Sequence, residues 1–387
     1  MCFSGAFREL GLFGLRGAPA GLRTAQTGRI GRGLLRVLRP LALVFVVGAG
    51  ALSAAEPTHS LDSGTPYRPA SDGRASAEGS KALEVERLMA AVVRIEARGA
   101  DDATANSTLG RNRLGTGVVI DERTVLTIGY LILETERVDI VTAQGRRIPA
   151  TSAGYDHQTG FGLVRALIPL GIAPLELGDS DAVGERSRVL TLGQGEREIT
   201  ELMVVSRKPF SGSWEYLLDR PFFTFPPVNN WSGAALFGRD GRLIGIGSMV
   251  VQDAASDRAG VPGNLYVPVN LVKPILADLQ TKGRRSGDAQ PWLGVHTETL
   301  HGNLIVTRVQ SGSPAERAGV STGSVIVSVA GQTVSDREAF YRAIRGAGPA
   351  GSNLGLRVLQ QGSLRDLEIQ SIDRADFLAR SQRGRGI

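Results

Sequence analysis

From Gly115 to about Tyr266 the chain is a succession of short β-rich runs divided by turn residues, with no long helical pattern between them. Gly117–Ile120, Val138–Val141, Arg188–Leu192 and Leu243–Ile246 are each too short for a helix and rich in β-branched residues. Strands at that spacing predict a sandwich or a barrel. Upstream, Leu83–Met89 carries a short helical pattern, Ala90–Ala97 a strand, and Arg98–Arg113 a polar loop. Downstream, Val269–Gln280 reads as one closing helix. A polar, Gly- and Arg-containing break at Gly283–Gln290 then separates a second unit of about 85 residues, a size at which a small domain buries its own core. That unit alternates strands at Leu304–Val309, Val325–Val329, Leu354–Leu359 and Leu364–Ile369 with a single strong helix. Ser335-Asp336-Arg337-Glu338 has the form of a capping box, which places this helix at Asp336–Arg345, stopped by Gly346.

The charge distribution decides where the basic balance belongs. The 387 residues carry a net charge of +6. Residues 1–55 hold seven arginines against Glu9, which accounts for all of it. The remainder is neutral, so no nucleic-acid footprint is expected. Arg36 and Arg39 precede a charge-free apolar stretch from Pro40 to about Ala51, and Ser53-Ala54-Ala55 supplies small residues before Glu56. This is the pattern of an export signal cleaved after Ala55. The alternative is an uncleaved inner-membrane anchor, although a dozen apolar residues fall short of the ~20 that span a bilayer. Residues 56–82, rich in Ser, Gly, Pro and Ala, are expected to form a flexible linker. The single cysteine, Cys2, lies in the leader, so a mature chain has neither disulfides nor thiolate chemistry. A hydrophobic fraction of 42% with one apolar run excludes both a wholly disordered chain and a polytopic membrane protein. Neither H-E-x-x-H, C-x-x-C nor an EF-hand loop occurs, and the expectation is no metal and no cofactor.

The most informative stretch is Asn230-Trp231-Ser232-Gly233-Ala234-Ala235-Leu236-Phe237, followed by Asp240-Gly241-Arg242-Leu243-Ile244-Gly245-Ile246. A serine on a tight turn ahead of a strand hairpin is how a trypsin-type nucleophile is presented, with backbone amides aimed at a developing oxyanion. Here the chain resembles the HtrA/Deg family of envelope serine proteases, in which the segment reads G-N-S-G-G-P-L. Gly115-Thr116-Gly117-Val118-Val119-Ile120 is similar to that family's G-S-G-V-I-I strand. Val189-Leu190-Thr191-Leu192-Gly193 is similar to the strand leading to A-I-G, and Tyr266-Val267-Pro268 through Val272 to F-A-I-P-x-x-x-V. The matches share one order over about residues 83–375. The resemblance implies a mainly β fold, a trypsin-like double β-barrel followed by an α+β PDZ domain. The protease-fold domain is placed at 83–282, the PDZ domain at 291–375 and a basic, solvated tail at 376–387.

The catalytic positions depart from the family. Where it has T-N-N-H-V, this chain reads Thr127-Ile128-Gly129-Tyr130-Leu131, so Tyr130 stands at the base position. A phenol with an ordinary pKa near ~10 is protonated at neutral pH and is a poor general base. Where the family has D-x-x-T-D-L-A, the run is Asp156-His157-Gln158-Thr159-Gly160-Phe161-Gly162, and Gly160 has no carboxylate. Ser232 alone remains of the triad. In the oxyanion turn Asn230 replaces Gly and Trp231 replaces Asn; Asn230, which tolerates positive φ, is expected to preserve the turn. Of the four histidines, His59 lies in the linker and His296 and His301 in the second unit, which leaves His157 as the one alternative base in the β domain. Lys208 is the one lysine placed for a serine–lysine dyad.

In the second unit, Trp292-Leu293-Gly294-Val295 resembles the Y-L-G-V loop of envelope PDZ domains, whose amides receive a peptide carboxylate. Ser313-Pro314-Ala315-Glu316-Arg317-Ala318-Gly319-Val320 resembles S-P-A-x-x-A-G-L, and Gly323–Gly331 resembles G-D-x-I-x-x-V-N-G with Ser324 in place of Asp. A ligand would add as a strand beside Leu293–Thr297 and pack against the helix, with His296 and Arg342 lining the groove. The alternative is a PDZ fold that only docks on its own protease domain. Together these residues predict a catalytically silent, periplasmic homologue that binds unfolded or C-terminal peptide segments of envelope proteins as a scaffold, adaptor or regulator of an active protease. The resemblance also implies a homo-oligomer. The competing readings are an active endopeptidase using Ser232 with an unconventional base, and a holdase without a defined partner.

Overall fold

The computed structural model describes residues 83–195, 199–212 and 216–383. The export signal, the linker up to residue 82, His59 and the last four residues of the basic tail lie outside them.

A helix at 83–91 (α1) leads into two closed antiparallel barrels of six strands. The first is built from β1 (Val92–Gly99), β2 (Asn112–Val119), β3 (Thr124–Ile128), β4 (Thr135–Val141), β5 (Arg147–Tyr155) and β6 (Phe161–Ala166), in the order β1-β2-β3-β6-β5-β4. A four-residue helix, α2 (Asn106–Leu109), interrupts the loop expected at Arg98–Arg113. Ile95, Leu126, Ile140, Ile148, Phe161 and Leu163 are fully buried in the hydrophobic cluster of the barrels. Each such side chain contributes about 1.5–3 kcal/mol by leaving water. All of β3 is buried, because one of its faces lines the barrel and the other packs outward on protein.

The second barrel uses β7 (Arg188–Leu192), β8 (Thr200–Ser206), β11 (Phe222–Phe225), β12 (Ala235–Phe237), β13 (Leu243–Val251) and β14 (Gly263–Pro268). Between β8 and β11 the chain projects a separate hairpin of β9 (Phe210–Gly212) and β10 (Tyr216–Leu218), with Tyr216 opposite Gly212 and Leu217 opposite Ser211. Where one closing helix was expected at Val269–Gln280, two 3-10 turns (Val269–Leu271, Lys273–Ile275) precede α3 (Leu276–Lys282). Pro274 explains the late start, since it favours the first turn of a helix and not its interior.

The third body is a sheet of β15 (Val295–Leu300), β16 (Asn303–Val309), β17 (Val325–Val329), β18 (Gln332–Thr333), β19 (Asn353–Gln360) and β20 (Ser363–Gln370), with β15 at one edge. Two helices accompany it, α4 (Pro314–Arg317) and α5 (Arg337–Gly346). The cap of α5 is Asp336 and not Ser335: its carboxylate accepts from the Ala339 amide at 2.8 Å, while the Ser335 hydroxyl donates to Asp336 at 3.3 Å. Within the stretch read as a tail, residues as far as Arg383 form α6 (Arg374–Arg383). Phe377 explains the ordering, as its ring lies 4.6 Å from that of Trp292 and covers an aromatic that would otherwise face water.

Candidate functional site

The β-sheet frame brings Ser232 to the seam between the barrels. Its carbonyl accepts from the Thr116 amide of β2 at 2.8 Å, and the Thr127 hydroxyl of β3 closes on the Thr116 carbonyl at 2.6 Å. Gly233, at φ 74°, makes the turn. A β-carbon there would collide with the Thr116 carbonyl, so the position admits glycine alone. Asn230, whose tolerance of positive φ was expected to preserve the turn, is exposed and is not among the positive-φ residues. The Gly233 amide is committed to the Gly247 carbonyl at 2.8 Å, and the Ala234 amide to the Trp231 carbonyl at 3.1 Å. Those two bonds fix the turn; the amides that a trypsin-type site would aim at an oxyanion are those of Asn230 and Ser232.

Tyr130 follows β3 on a 3-10 turn, Gly129–Leu131. The buried guanidinium of Arg113 anchors that turn by donating to the carbonyls of Gly110, Tyr130 and Leu133. The phenol oxygen lies 2.8 Å from Ser232 Oγ and 2.9 Å from the Ser248 carbonyl on β13. A carbonyl can only accept, and the phenol has one proton to give. If the phenol donates to Ser232, the serine oxygen is an acceptor of a proton and not a donor to a base. If it donates to Ser248, the serine hydroxyl faces a neutral phenol oxygen. Burial raises the Tyr130 pKa above its already high ordinary value, and the contact with Ser232 only partly opposes that shift. Neither arrangement removes the serine proton.

Gly160 lies at φ 81°, and its amide bonds the Asp156 carbonyl at 2.8 Å. The space beside it is taken by Tyr216 from β10. A β-carbon on Gly160 would stand 3.0 Å from the Tyr216 hydroxyl, which donates to the Thr159 carbonyl at 2.8 Å. Burial pushes the Tyr216 pKa well up, with the neighbouring Tyr155 and Asp156 adding to it. Asp156, 3% exposed, is committed to other partners. Its carboxylate accepts from the Thr159 hydroxyl at 2.6 Å and pairs with Arg285 of the connecting segment at 3.0 Å.

The alternative bases are occupied elsewhere. The ring of His157 lies 4.2 Å from that of Tyr155, tilted by 53°, and its buried Nδ1 has no hydrogen-bond partner among the described residues. Burial and then Arg374 hold its pKa well below the ordinary value, so it is neutral. Lys208 donates to the Ala255 carbonyl at 2.9 Å and pairs with Asp253 at 3.3 Å. Among the described residues no cluster of three or more His, Cys, Asp or Glu is arranged to hold a metal.

In the third body, Trp292 is pinned to Ile372 by reciprocal backbone bonds of 3.0 and 3.2 Å. Leu293 and Val295 are buried, and Gly294 sits at φ 84° with its carbonyl accepting from Gln310 at 2.8 Å. Of the two groove candidates, His296 contacts Arg308 at 2.7 Å, and burial followed by the Arg308 and Arg374 charges lowers its pKa to about 4. Arg342 does not face an open groove: it pairs with Asp219 beyond the β9–β10 hairpin at 2.7 Å and with Glu338 at 2.9 Å. Tyr341 donates to the Gly212 carbonyl at 2.9 Å. Tyr216, Asp156 with Arg285, and Ser248 were not singled out from the sequence. The one available signal for the first was an aromatic at the head of the apolar run Tyr216-Leu217-Leu218.

Two closed barrels with a serine turn between them, followed by a sheet with an edge strand and a capping helix, define a trypsin-like peptidase fold joined to a PDZ domain. The family model of the trypsin-like peptidase domain matches residues 115–246, and that of the PDZ domain matches residues 291–370. The periplasmic serine endoprotease DegP of Salmonella typhimurium is 27% identical over 267 residues, covering 64% of this chain and 54% of the relative. DegP of Escherichia coli K12 is also 27% identical, over 64% of this chain and 55% of its own. A serine protease HtrA-like of Staphylococcus epidermidis is 22% identical across 87% of this chain and 62% of its own. The chain thus spans about half the length of its DegP relatives. A solved HtrA-type protease, an AlgW variant with a tripeptide, superposes with a TM-score of 0.50 at 20% identity, covering 76% of this chain and 97% of the other. These likenesses support the HtrA family.

Proposed function

We propose that this HtrA homologue is catalytically silent and acts in the bacterial envelope by holding peptide segments through its PDZ domain, as a scaffold, adaptor or regulator of an active protease. The carrying observation is the phenol of Tyr130, 2.8 Å from Ser232 Oγ and held neutral by burial. Two further features support it. Gly160 offers no carboxylate, and Tyr216 fills the space beside it. Loss of triad function typically costs about 10⁴–10⁶ in turnover, which leaves only what binding and an oxyanion hole provide. The DegP relatives are named as periplasmic, and among the described residues no helix is long and apolar enough to cross a membrane. The PDZ fold, with β15 as an edge strand beside α5, supports ligand binding by strand addition. By analogy with the family the working form is an oligomer.

The test is capture without cleavage. An unfolded envelope protein incubated with the full chain is expected to co-purify with it and to stay intact. Gly294→Asp, which places a side chain against Ser313 in the loop, is expected to abolish capture while the barrels keep their thermal transition. Cleavage that disappears in Ser232→Ala would favour the endopeptidase, and capture unchanged in Gly294→Asp would favour a holdase that does not use the PDZ loop.

A further inference from the structure

The edge strand of the PDZ sheet carries charge on one face only. β15 pairs with β16 alone among the described strands. The His296 carbonyl turns inward to β16, where the Thr307 hydroxyl donates to it at 3.2 Å. Backbone groups of successive strand residues point in alternate directions, so those of Val295 and Thr297 point outward, along the edge where a peptide strand would add. Side chains alternate as well. Val295 and Thr297 are buried, whereas His296 and Glu298 stand on the opposite, outer face.

Two charges on that face have no ion pair among the described residues. Arg308 lies directly across from His296 on β16, and its guanidinium reaches the His296 Nε2 at 2.7 Å. A guanidinium only donates, so the imidazole accepts and is neutral. The charges acting on that ring are the cations Arg308 and Arg374, with no carboxylate among them. Glu298, exposed and two residues along the same face, lies across from Ile305. The outer face is therefore positive beside His296 and negative at Glu298.

The direction of an added strand fixes which of its side chains meet these charges. The loop Leu293–Val295 stands at the start of β15, so a peptide whose terminal carboxylate is held there runs antiparallel to the strand. Its last residue lies opposite Val295, the next-to-last opposite His296 and the fourth from last opposite Glu298. Facing residues of paired strands put their side chains on the same face, with β-carbons about 5 Å apart. Resting on the reading of the PDZ domain as a peptide binder, we propose that the outer face of β15 selects peptides by charge: an acidic side chain in the next-to-last position, met by Arg308, and a basic one in the fourth-from-last position, met by Glu298. The bond to a neutral ring holds the Arg308 guanidinium beside the edge strand without cancelling its charge, and its planar fork suits a carboxylate. The last and third-from-last side chains turn to the buried face, so the two sets of positions are read separately. Each exposed pair is worth about two- to fivefold in affinity.

The test measures, by fluorescence anisotropy, the binding of the full chain to four short synthetic peptides with free C-termini. They share one sequence except for Glu or Lys at the next-to-last position and Lys or Glu at the fourth from last. The peptide with Glu and then Lys at those positions is expected to bind about tenfold more tightly than the one with the charges exchanged. The other two are expected to fall between, and added salt should compress the whole range. Arg308→Glu is expected to invert the preference at the next-to-last position alone, and Glu298→Lys the preference at the fourth from last alone. Both residues are exposed, so neither change disturbs the core. Equal affinity for all four peptides would overturn the proposal, and loss of that binding in Gly294→Asp would show the peptide-binding function intact. A preference that persists unchanged in Arg308→Glu and Glu298→Lys would also overturn it, by placing the discrimination elsewhere. Binding of none of the peptides would overturn it together with the function on which it rests.

Discussion

Tyr216 stands in the place where a side chain at position 160 would have to go. Its hydroxyl lies 3.0 Å from a β-carbon built on Gly160 and donates to the carbonyl of Thr159, the preceding residue. Together with Tyr130 on Ser232, it puts a neutral phenol at each of two positions where a trypsin-type site needs an imidazole and a carboxylate. The site is filled and hydrogen-bonded without charge. The change is therefore more than the loss of two side chains, and restoring them singly meets a packed interior.

Gly160→Asp is expected to destabilise the protein and to give no activity. A carboxylate at φ 81° is strained, and its β-carbon presses on the Tyr216 ring. Strain of this kind costs about 1–3 kcal/mol. Chemical denaturation followed by tryptophan fluorescence measures the loss, and a fluorogenic peptide measures the absence of turnover. Tyr130→His alone is likewise expected to be inactive, because an imidazole with no acceptor to orient it is a poor base.

Tyr216→Phe removes the donor to the Thr159 carbonyl at a buried position. The orphaned carbonyl is expected to cost about 1–3 kcal/mol. The same denaturation experiment checks it. A change below a few tenths of a kcal/mol would mean that the phenol does not close the site.

Arg285→Met breaks the pair with Asp156, whose carboxylate is then left to the Thr159 hydroxyl and amide. Removing one partner of a buried pair is strongly destabilising, and with Arg285 partly exposed about 1–3 kcal/mol is expected. Because Arg285 lies in the segment joining the barrels to the PDZ domain, limited proteolysis at 283–290 is expected to accelerate with it.

The histidines give the pH dependence its sign. His157 and His296 are both depressed, the latter to about 4, chiefly by burial. Below the ordinary value near ~6.5 the unfolded chain takes up protons that the folded chain refuses, so stability is full above that pH and falls as pH drops toward 4. The thermal midpoint is expected to decline from pH 7 to pH 4.5. His296→Gln should flatten the part of that decline above about pH 4.

Much of this was legible in the sequence. Short runs such as Val138–Val141 and Leu243–Ile246 marked the barrels, since a strand reports itself through local composition. Ordered motifs identified Tyr130 and Gly160 as departures, because each sits at a fixed distance from its own strand. The filling of the site was not legible. Gly160 and Tyr216 are far apart in the chain, and a contact between them follows from the projection of a hairpin that no local period announces. The same holds for Leu217 in the PDZ core and Phe377 on Trp292. The tolerance of Asn230 for positive φ is intrinsic and visible in the sequence, whereas the crowding against Thr116 that requires a left-handed residue falls on Gly233 and follows from the fold.

Under the proposed function, Ser232 has no base. Labelling of the full chain with a fluorophosphonate probe from pH 6 to 9, with Ser232→Ala as the control, tests it most directly. The expected rate is no faster than that of Ser232→Ala at neutral pH, with no titration near pH 7. Rapid labelling lost in Ser232→Ala, rising with a midpoint near neutrality, would contradict it and make His157 the next residue to replace.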